Sequence, residues 1–230
     1  MRRAGPRETP DARRARAGKI VAALERAYPD AKIALEFTTP LELLVATILS
    51  AQCTDERVNI VTRSLFGKYR RAADYAKADP ATFEHEIRST GFFRAKTRSV
   101  IGMARALEER HQGEVPGTRE ALLALPGVGL KTANVVLGNA FGRPAIAVDT
   151  HVLRVSQRLH LVQADDPDEI HDELIEVLPR AKWTRTCHLI QAHGRRTCTA
   201  RAPRCPVCPV RSLCPWPAKT TNAPPARRRR

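Results

Sequence analysis

Helical periodicity broken by proline and glycine limits this chain more than any other feature. Between residues 19 and 196, apolar side chains recur at three- and four-residue spacing, the pattern of helices that bury one face. The spacing predicts helices over 19–28, 40–52, 55–69, 83–89, 94–111, 118–125, 130–141, 150–161, 167–178 and 183–196. Breaks fall at Pro40, Pro80, Gly91, Pro116, Gly117, Gly127, Gly142, Pro144, Pro167 and Pro179, where a missing amide or an unrestricted φ stops a helix. Only 145–148, AIAV, has strand composition, and it is too short to pair. No repeat of fixed period stands out. An all-α fold follows, with short loops and with helix packing as its main source of stability.

The 230 residues allow one large domain or two small ones, and 43% hydrophobic content is enough for a core. Charge is the next constraint. Thirty-nine Lys and Arg against 24 Asp and Glu give a net +15, which points to a polyanionic partner, nucleic acid ahead of a membrane surface. No apolar run approaches the roughly 18 residues that span a bilayer. The N-terminal MRRAGPRETPDARRARAGK is charged but lacks an apolar h-region, so it is not read as a secretory signal. Residues 1–18 are expected to be a basic disordered arm. Residues 217–230, ending in PPARRRR, are expected to be a matching tail.

After Gly194 the composition shifts: ten Lys or Arg follow, with no Asp or Glu, together with four cysteines. Cys198, Cys205, Cys208 and Cys214 form C-x6-C-x2-C-x5-C. A loop with so few core-forming residues needs a cross-link. Without an export signal the thiols are expected to be reduced, and sets of this kind bind zinc or an iron–sulfur cluster. Spacing alone leaves the metal open. Cys53 and Cys187 fall within helical patterns and read as small buried hydrophobes.

Residues 125–133, LPGVGLKTA, join two helical patterns through a turn with two glycines. Both can adopt positive φ and leave backbone amides uncovered, and such amides at a helix start cradle a phosphate. A helix–hairpin–helix of this kind grips DNA by its backbone, which gives position without sequence. A nucleotide P-loop is excluded, because Leu130 separates the glycine from Lys131. Lys131 stands in the first helical turn, where the helix dipole disfavours a cation, among Leu125, Val128, Leu130 and Ala133. An apolar pocket and helix N-terminal charge favour the neutral amine, which is a nucleophile. An amine that attacks a sugar C1′ displaces the base and leaves a Schiff base, which allows the 3′ phosphate to be eliminated. Reaching C1′ requires a nucleotide rotated out of the stack. Asp149, eighteen residues on in IAVDTHVLRV, is placed to cap the helix that starts at Thr150. Beside a lysine nucleophile, the same carboxylate can accept a proton and stabilise positive charge.

Taken together, LPGVGLKTANVVL, AIAVDTHVLRV and the four-cysteine spacing resemble endonuclease III, the helix–hairpin–helix family of base-excision DNA glycosylases, over about 20–215. The resemblance implies two lobes with a cleft between them: a six-helix barrel of 33–143, and a cluster lobe of 19–32 with 144–216. It implies a [4Fe–4S] cluster on Cys198, Cys205, Cys208 and Cys214, with Lys131 as Schiff-base nucleophile and Asp149 as its activating carboxylate. Hairpin contacts to DNA are then placed at Leu125, Gly127, Gly129 and Thr132. In LSAQCTD, Gln52 matches a glutamine that enters the gap left by the flipped nucleotide. In TGFFRAKT, Phe92 matches a wedge that is commonly aliphatic, the competing reading being a core aromatic. His151 matches a histidine near the site, and Arg201 and Arg204 are placed to meet phosphates from the cluster loop.

The implied activity is that of a bifunctional glycosylase and AP lyase acting on oxidised or ring-damaged pyrimidines in duplex DNA, as a monomer in the nucleoid-bearing cytoplasm. Two rivals remain. A monofunctional adenine-mismatch glycosylase shares the hairpin and cluster, but those enzymes usually lack the lysine. A noncatalytic DNA-binding module with structural zinc would be colourless.

Overall fold

The computed structural model describes residues 8–221. Eleven α-helices lie among them: α1 (Pro10–Ala27), α2 (Pro40–Leu49), α3 (Asp55–Lys68) and α4 (Ala72–Ala76). Then come α5 (Pro80–Ile87), α6 (Phe93–His111), α7 (Arg119–Leu123) and α8 (Leu130–Ala140). Last are α9 (Thr150–Arg158), α10 (Pro167–Val177) and α11 (Trp183–Arg196). The described residues contain no strand, and 145–148 has no regular secondary structure and is buried. No described helix is long and apolar enough to cross a membrane.

The chain divides into two compact units, Ile33–Ala145 and the segments on either side of it. In the first, α2 is central: from Leu41 to Leu49 every residue but Glu42 is buried. A helix enclosed on all sides must satisfy its own leading amides. Thr39 and Glu42 do this reciprocally, with the Thr39 hydroxyl accepting the Glu42 amide at 3.2 Å and the Glu42 carboxylate accepting the Thr39 amide at 3.4 Å. Helices α3, α6 and α8 pack on α2, and α6 also packs on α4 and α5. Tyr69, Tyr75 and Phe83 fill one end of this core. The two tyrosines stack at 4.9 Å between centroids, and Phe83 meets Tyr69 edge-on at 5.5 Å.

The five residues of α4 are too few to show periodicity, and the sequence pattern missed them. Its start is fixed by the Asp74 carboxylate, which accepts the Arg70 and Arg71 amides at 2.9 Å each. Cys53 also departs from expectation: it is half-buried in the turn after α2, not inside a helix. Cys187 is buried in α11, and burial pushes its thiol up to about 12.

In the other unit α1 packs on α10 and α11, and α9 packs on α11, around Ile20, Leu24, Val152, Val155, Leu174 and Leu189. Part of the expected disordered arm is helix. Residues 1–7 lie outside the described residues, but α1 starts at Pro10, capped by Thr9. The physical reason is Arg16. Its guanidinium is paired to Glu8 at 2.8 Å and donates to the carbonyls of Leu159 (2.7 Å) and His160 (3.1 Å) just past α9. That pairing holds the Glu8 carboxyl below the usual range. An arginine read as solvated charge is therefore a helix-end clamp. Of the expected tail, 222–230 fall outside the described residues, while Thr220 donates to the Pro203 carbonyl at 2.7 Å.

Tyr75 is about 1% exposed and its hydroxyl has no hydrogen-bond partner among the described residues. Removing a buried orphan hydroxyl relieves a desolvation cost of roughly 1 kcal/mol or more. Tyr75→Phe should therefore melt at or above the parent temperature in a thermal scan, and a clear drop would show that the hydroxyl is partnered.

Candidate active site and cysteine centre

Lys131 is the second residue of α8. The inner face of that helix, Ala133, Asn134, Val136 and Leu137, is buried, and the helix packs on α2 and α7. The turn between α7 and α8 closes through a bond from the Val128 amide to the Leu125 carbonyl at 3.2 Å. Gly127 has φ +75°, and a Cβ there would stand 2.5 Å from the Ser99 Cβ on α6. Gly102, one turn along α6, lies against Pro126, whose Cβ would be 3.3 Å from a Cβ at that position. Two absent side chains, one on each partner, let the hairpin settle on α6.

Gly129 serves a different end. Its backbone is extended, with φ −95°, and a Cβ there would meet open space. As the N-cap residue of α8, Gly129 has no side chain to cap it. Of the two glycines able to adopt positive φ, only Gly127 does so. The expectation for Leu125 is corrected. At 3% exposure its side chain belongs to the core, because the turn folds it under the hairpin. Thr132 is half-buried. Lys131 is exposed, and the apolar neighbours Leu125, Val128 and Ala133 turn inward, so no apolar pocket of their making encloses it. Its backbone lies in the N-terminal turn of α8, whose leading amides carry partial positive charge.

Two further expected residues share an unusual backbone. Gln52, in the turn between α2 and α3, has φ +52°, and Phe92, just before α6, has φ +48°. Left-handed backbone is uncommon outside glycine and marks places where surroundings impose it. Both side chains are exposed, Phe92 by 66%. A core role for Phe92 is excluded.

Asp149 caps α9 in the other unit. Its Oδ1 accepts the amides of His151 at 2.9 Å and Val152 at 2.7 Å. Both bonds fall on one oxygen, so the cap leaves Oδ2 of the carboxylate for other work. His151 is half-buried, with Nδ1 3.1 Å from the Arg154 guanidinium. Gly194 of α11 comes so close that a Cβ there would stand 2.9 Å from that Nδ1.

The same α9 holds the cysteine loop, through residues the sequence reading passed over. Arg154 donates to the carbonyls of Cys198 and Gly194, both at 3.1 Å. Arg158, one turn on, donates to the carbonyls of Thr199 and Ala200 at 2.8 Å each and to the Cys198 sulfur at 3.4 Å. Its guanidinium lies 4.3 Å from the Trp216 ring centroid, beyond the last cysteine. The i, i+4 spacing of two arginines was the available signal, but it reads equally as a solvated face. Arg201 is exposed, whereas Arg204 is half-buried with its Nε unpaired among the described residues.

Cys198, Cys205, Cys208 and Cys214 carry no disulfide. Burial pushes the Cys208 thiol up to about 11, and the neighbouring Cys214, Cys198 and Cys205 add to the shift. Cys214 is raised for the same reasons. Four thiolates gathered this closely repel one another unless a cation sits among them. An N–H donor is already aimed at one of the sulfurs, from the Arg158 guanidinium to Cys198 at 3.4 Å. His193 is 1% exposed, with Nε2 3.8 Å from the Cys208 sulfur and Nδ1 2.9 Å from the Tyr28 hydroxyl. Burial lowers its imidazole to about 4 and keeps it neutral. Thiolate donors, an N–H group to one sulfur and an apolar surround fit an iron–sulfur cluster. Among the described residues no three ligating side chains close on a single metal ion.

The chain matches the family model described as HhH-GPD superfamily base excision DNA repair protein over residues 45–180. It is 50% identical over 201 residues to the endonuclease III of Synechocystis sp., covering 87% of this chain and 92% of that one. A solved non-covalent endonuclease III–DNA complex aligns with a TM-score of 0.84 at 44% identity, covering 87% of this chain and 94% of the other. A trapped covalent endonuclease III–DNA intermediate, an estranged-adenine complex, aligns equally well and covers 87% and 95%.

The two hairpin glycines should separate in a stability measurement. Gly127→Ala forces a methyl into Ser99 at positive φ and should cost about 2 kcal/mol or more. Gly129→Ala meets open space and should cost less than about 1 kcal/mol by denaturant unfolding. Equal losses would mean that the hairpin is not seated on α6 in this way.

Proposed function

Since this chain belongs to the HhH-GPD superfamily of base excision DNA repair proteins, and within it to the endonuclease III family, we propose that Lys131 is its nucleophile and Asp149 the carboxylate that serves it. The enzyme is a bifunctional DNA glycosylase and AP lyase of base excision repair, and duplex DNA is its partner. Oxidised or ring-damaged pyrimidines are the proposed substrates, and the DNA-bearing cytoplasm is the proposed place of work. The observation that carries the assignment is an exposed lysine at the start of α8, on a hairpin whose other leading residue, Gly129, leaves the backbone bare.

The neutral Lys131 amine forms a bond to C1′ of the flipped nucleotide while the bond from C1′ to the base breaks, and the base takes a proton from solvent. Ring opening, in which O4′ takes up the proton that the amine gives up, leaves an iminium between Nζ and C1′. Loss of a C2′ proton to a general base then expels the 3′ phosphate, and water releases the amine. Asp149 accepts the proton of the attacking amine and stabilises the cationic intermediate, using a carboxylate held in place by the α9 amides. The leading amides of α8 and the exposed backbone at Gly129 grip phosphate. Gln52 fills the gap in the stack, Phe92 wedges beside it, and His151 lies near the sugar. Arg201 extends the phosphate contacts. Arg204, half-buried, reaches a phosphate only by its outer nitrogens.

Cys198, Cys205, Cys208 and Cys214 would hold a [4Fe–4S] cluster, which supplies a rigid cross-link for a loop without a core. Arg154 and Arg158 tie that loop to the helix that Asp149 caps. The protein as purified should be yellow-brown with iron and sulfide in equal amounts, whereas a colourless zinc protein would overturn the cluster.

Two substitutions test the catalytic pair. Lys131→Ala should abolish borohydride trapping on abasic DNA while binding persists, and full trapping by that variant would remove Lys131 as nucleophile. Asparagine caps a helix as well as aspartate does, so Asp149→Asn should melt like the parent. Its single-turnover excision rate should nonetheless fall by about 100-fold or more. Parental turnover would leave Asp149 a cap alone.

A further inference from the structure

Lys96 is 4% exposed, the one lysine or arginine among the described residues to be buried. A buried ammonium is costly unless it is paired and bonded. Here no carboxylate lies within ion-pair distance among the described residues, and its hydrogen bond runs from Nζ to the Thr90 carbonyl at 2.8 Å. Burial lowers its pKa, and the nearby Cys53 opposes that shift. A lysine kept there against its own solvation is held for what it fixes.

It fixes both flanks of Gly91. The Lys96 ammonium takes the carbonyl before that glycine, at Thr90, and the Lys96 amide takes the carbonyl after it, at Phe92, at 3.1 Å. The Thr90 hydroxyl meanwhile donates to the Ile87 carbonyl at 2.8 Å. Between these anchors the chain passes through φ +71° at Gly91 and φ +48° at Phe92, and the Phe92 ring is turned out to 66% exposure. A bulky residue persists in left-handed backbone only where its surroundings over-determine it. Cys53, whose charge would act on Lys96, adjoins Gln52, another exposed residue in left-handed backbone.

We infer that Lys96 is a positioning residue: by clamping the Thr90 and Phe92 carbonyls it holds the Phe92 ring outward, ready to enter the base stack beside the damaged nucleotide. This rests on the reading of Phe92 as the wedge. Lys96 itself touches neither substrate nor the reacting atoms.

The test uses the full-length protein and Lys96→Met, which keeps length and apolar bulk but loses the ammonium. A duplex with 2-aminopurine beside a dihydrothymine lesion reports unstacking as a rise in fluorescence. Lys96→Met should melt at or above the parent, lose most of that rise and excise the lesion at least tenfold more slowly in single turnover. Its borohydride trapping on single-stranded abasic DNA, which needs no wedge, should equal the parent's. The double variant with Phe92→Ala should be no slower than Phe92→Ala alone. Parental unstacking by Lys96→Met, alongside a crippled Phe92→Ala, would overturn the role of Lys96. A parental Phe92→Ala would instead overturn the wedge. Should Lys96→Met melt well below the parent, Lys96→Arg, which keeps a donor for Thr90, carries the test. Parental unstacking is expected of it, and loss of unstacking with parental melting would overturn the clamp.

Discussion

Gly127 comes so close to Ser99 that no methyl group fits between them, and the position of Lys131 depends on that contact. The hairpin cannot slide along α6 without opening a gap at Gly127 or driving Pro126 into Gly102. Because α8 begins two residues after Val128, seating the turn also seats the amine. Helix α6 therefore does more than pack. Its first turn fixes the Phe92 loop through Lys96, and its next turns receive the hairpin at Ser99 and Gly102. One rigid element thus carries the proposed wedge and locates the proposed nucleophile.

The other unit works by a similar economy. Helix α9 is capped by Asp149 and ends at Arg158, and both ends are occupied. At the start, backbone amides fix the carboxylate. Toward the end, Arg154 and Arg158 hold carbonyls of the cysteine loop. A loop rich in proline and arginine has little apolar surface to bury. Its order comes instead from a few directed hydrogen bonds, the Trp216 stack and the cross-link proposed for its sulfurs. The Tyr28 hydroxyl and His193 extend this network to α1 and α11.

Much of the helical content was legible in the sequence, since period and breakers are local properties. The helix over 183–196 has the predicted bounds, and the ends of most others shift by a few residues. The misses share a cause. Helix α4 is too short for a period to appear, and the first turns of α1 look like solvated charge until Arg16 meets the carbonyls past α9. Leu125 was assigned to DNA because it lies in a motif, yet the turn folds it inward. Lys131 was expected in an apolar pocket because its neighbours are apolar, yet on a helix adjacent residues point in different directions.

The sequence by itself determined the helices, the hairpin and the spacing of four thiols, because each of these is written in neighbouring residues. It determined the family as well, since motif order and spacing survive in the chain as letters. The tertiary structure decided which glycine is compelled and which is free, where Phe92 points, and that a lysine with no carboxylate partner among the described residues lies buried in the following helix. Those depend on contacts such as Gly127 with Ser99, or Arg16 with the end of α9. Residues far apart in sequence meet there only once the helices have packed, so no local pattern encodes them.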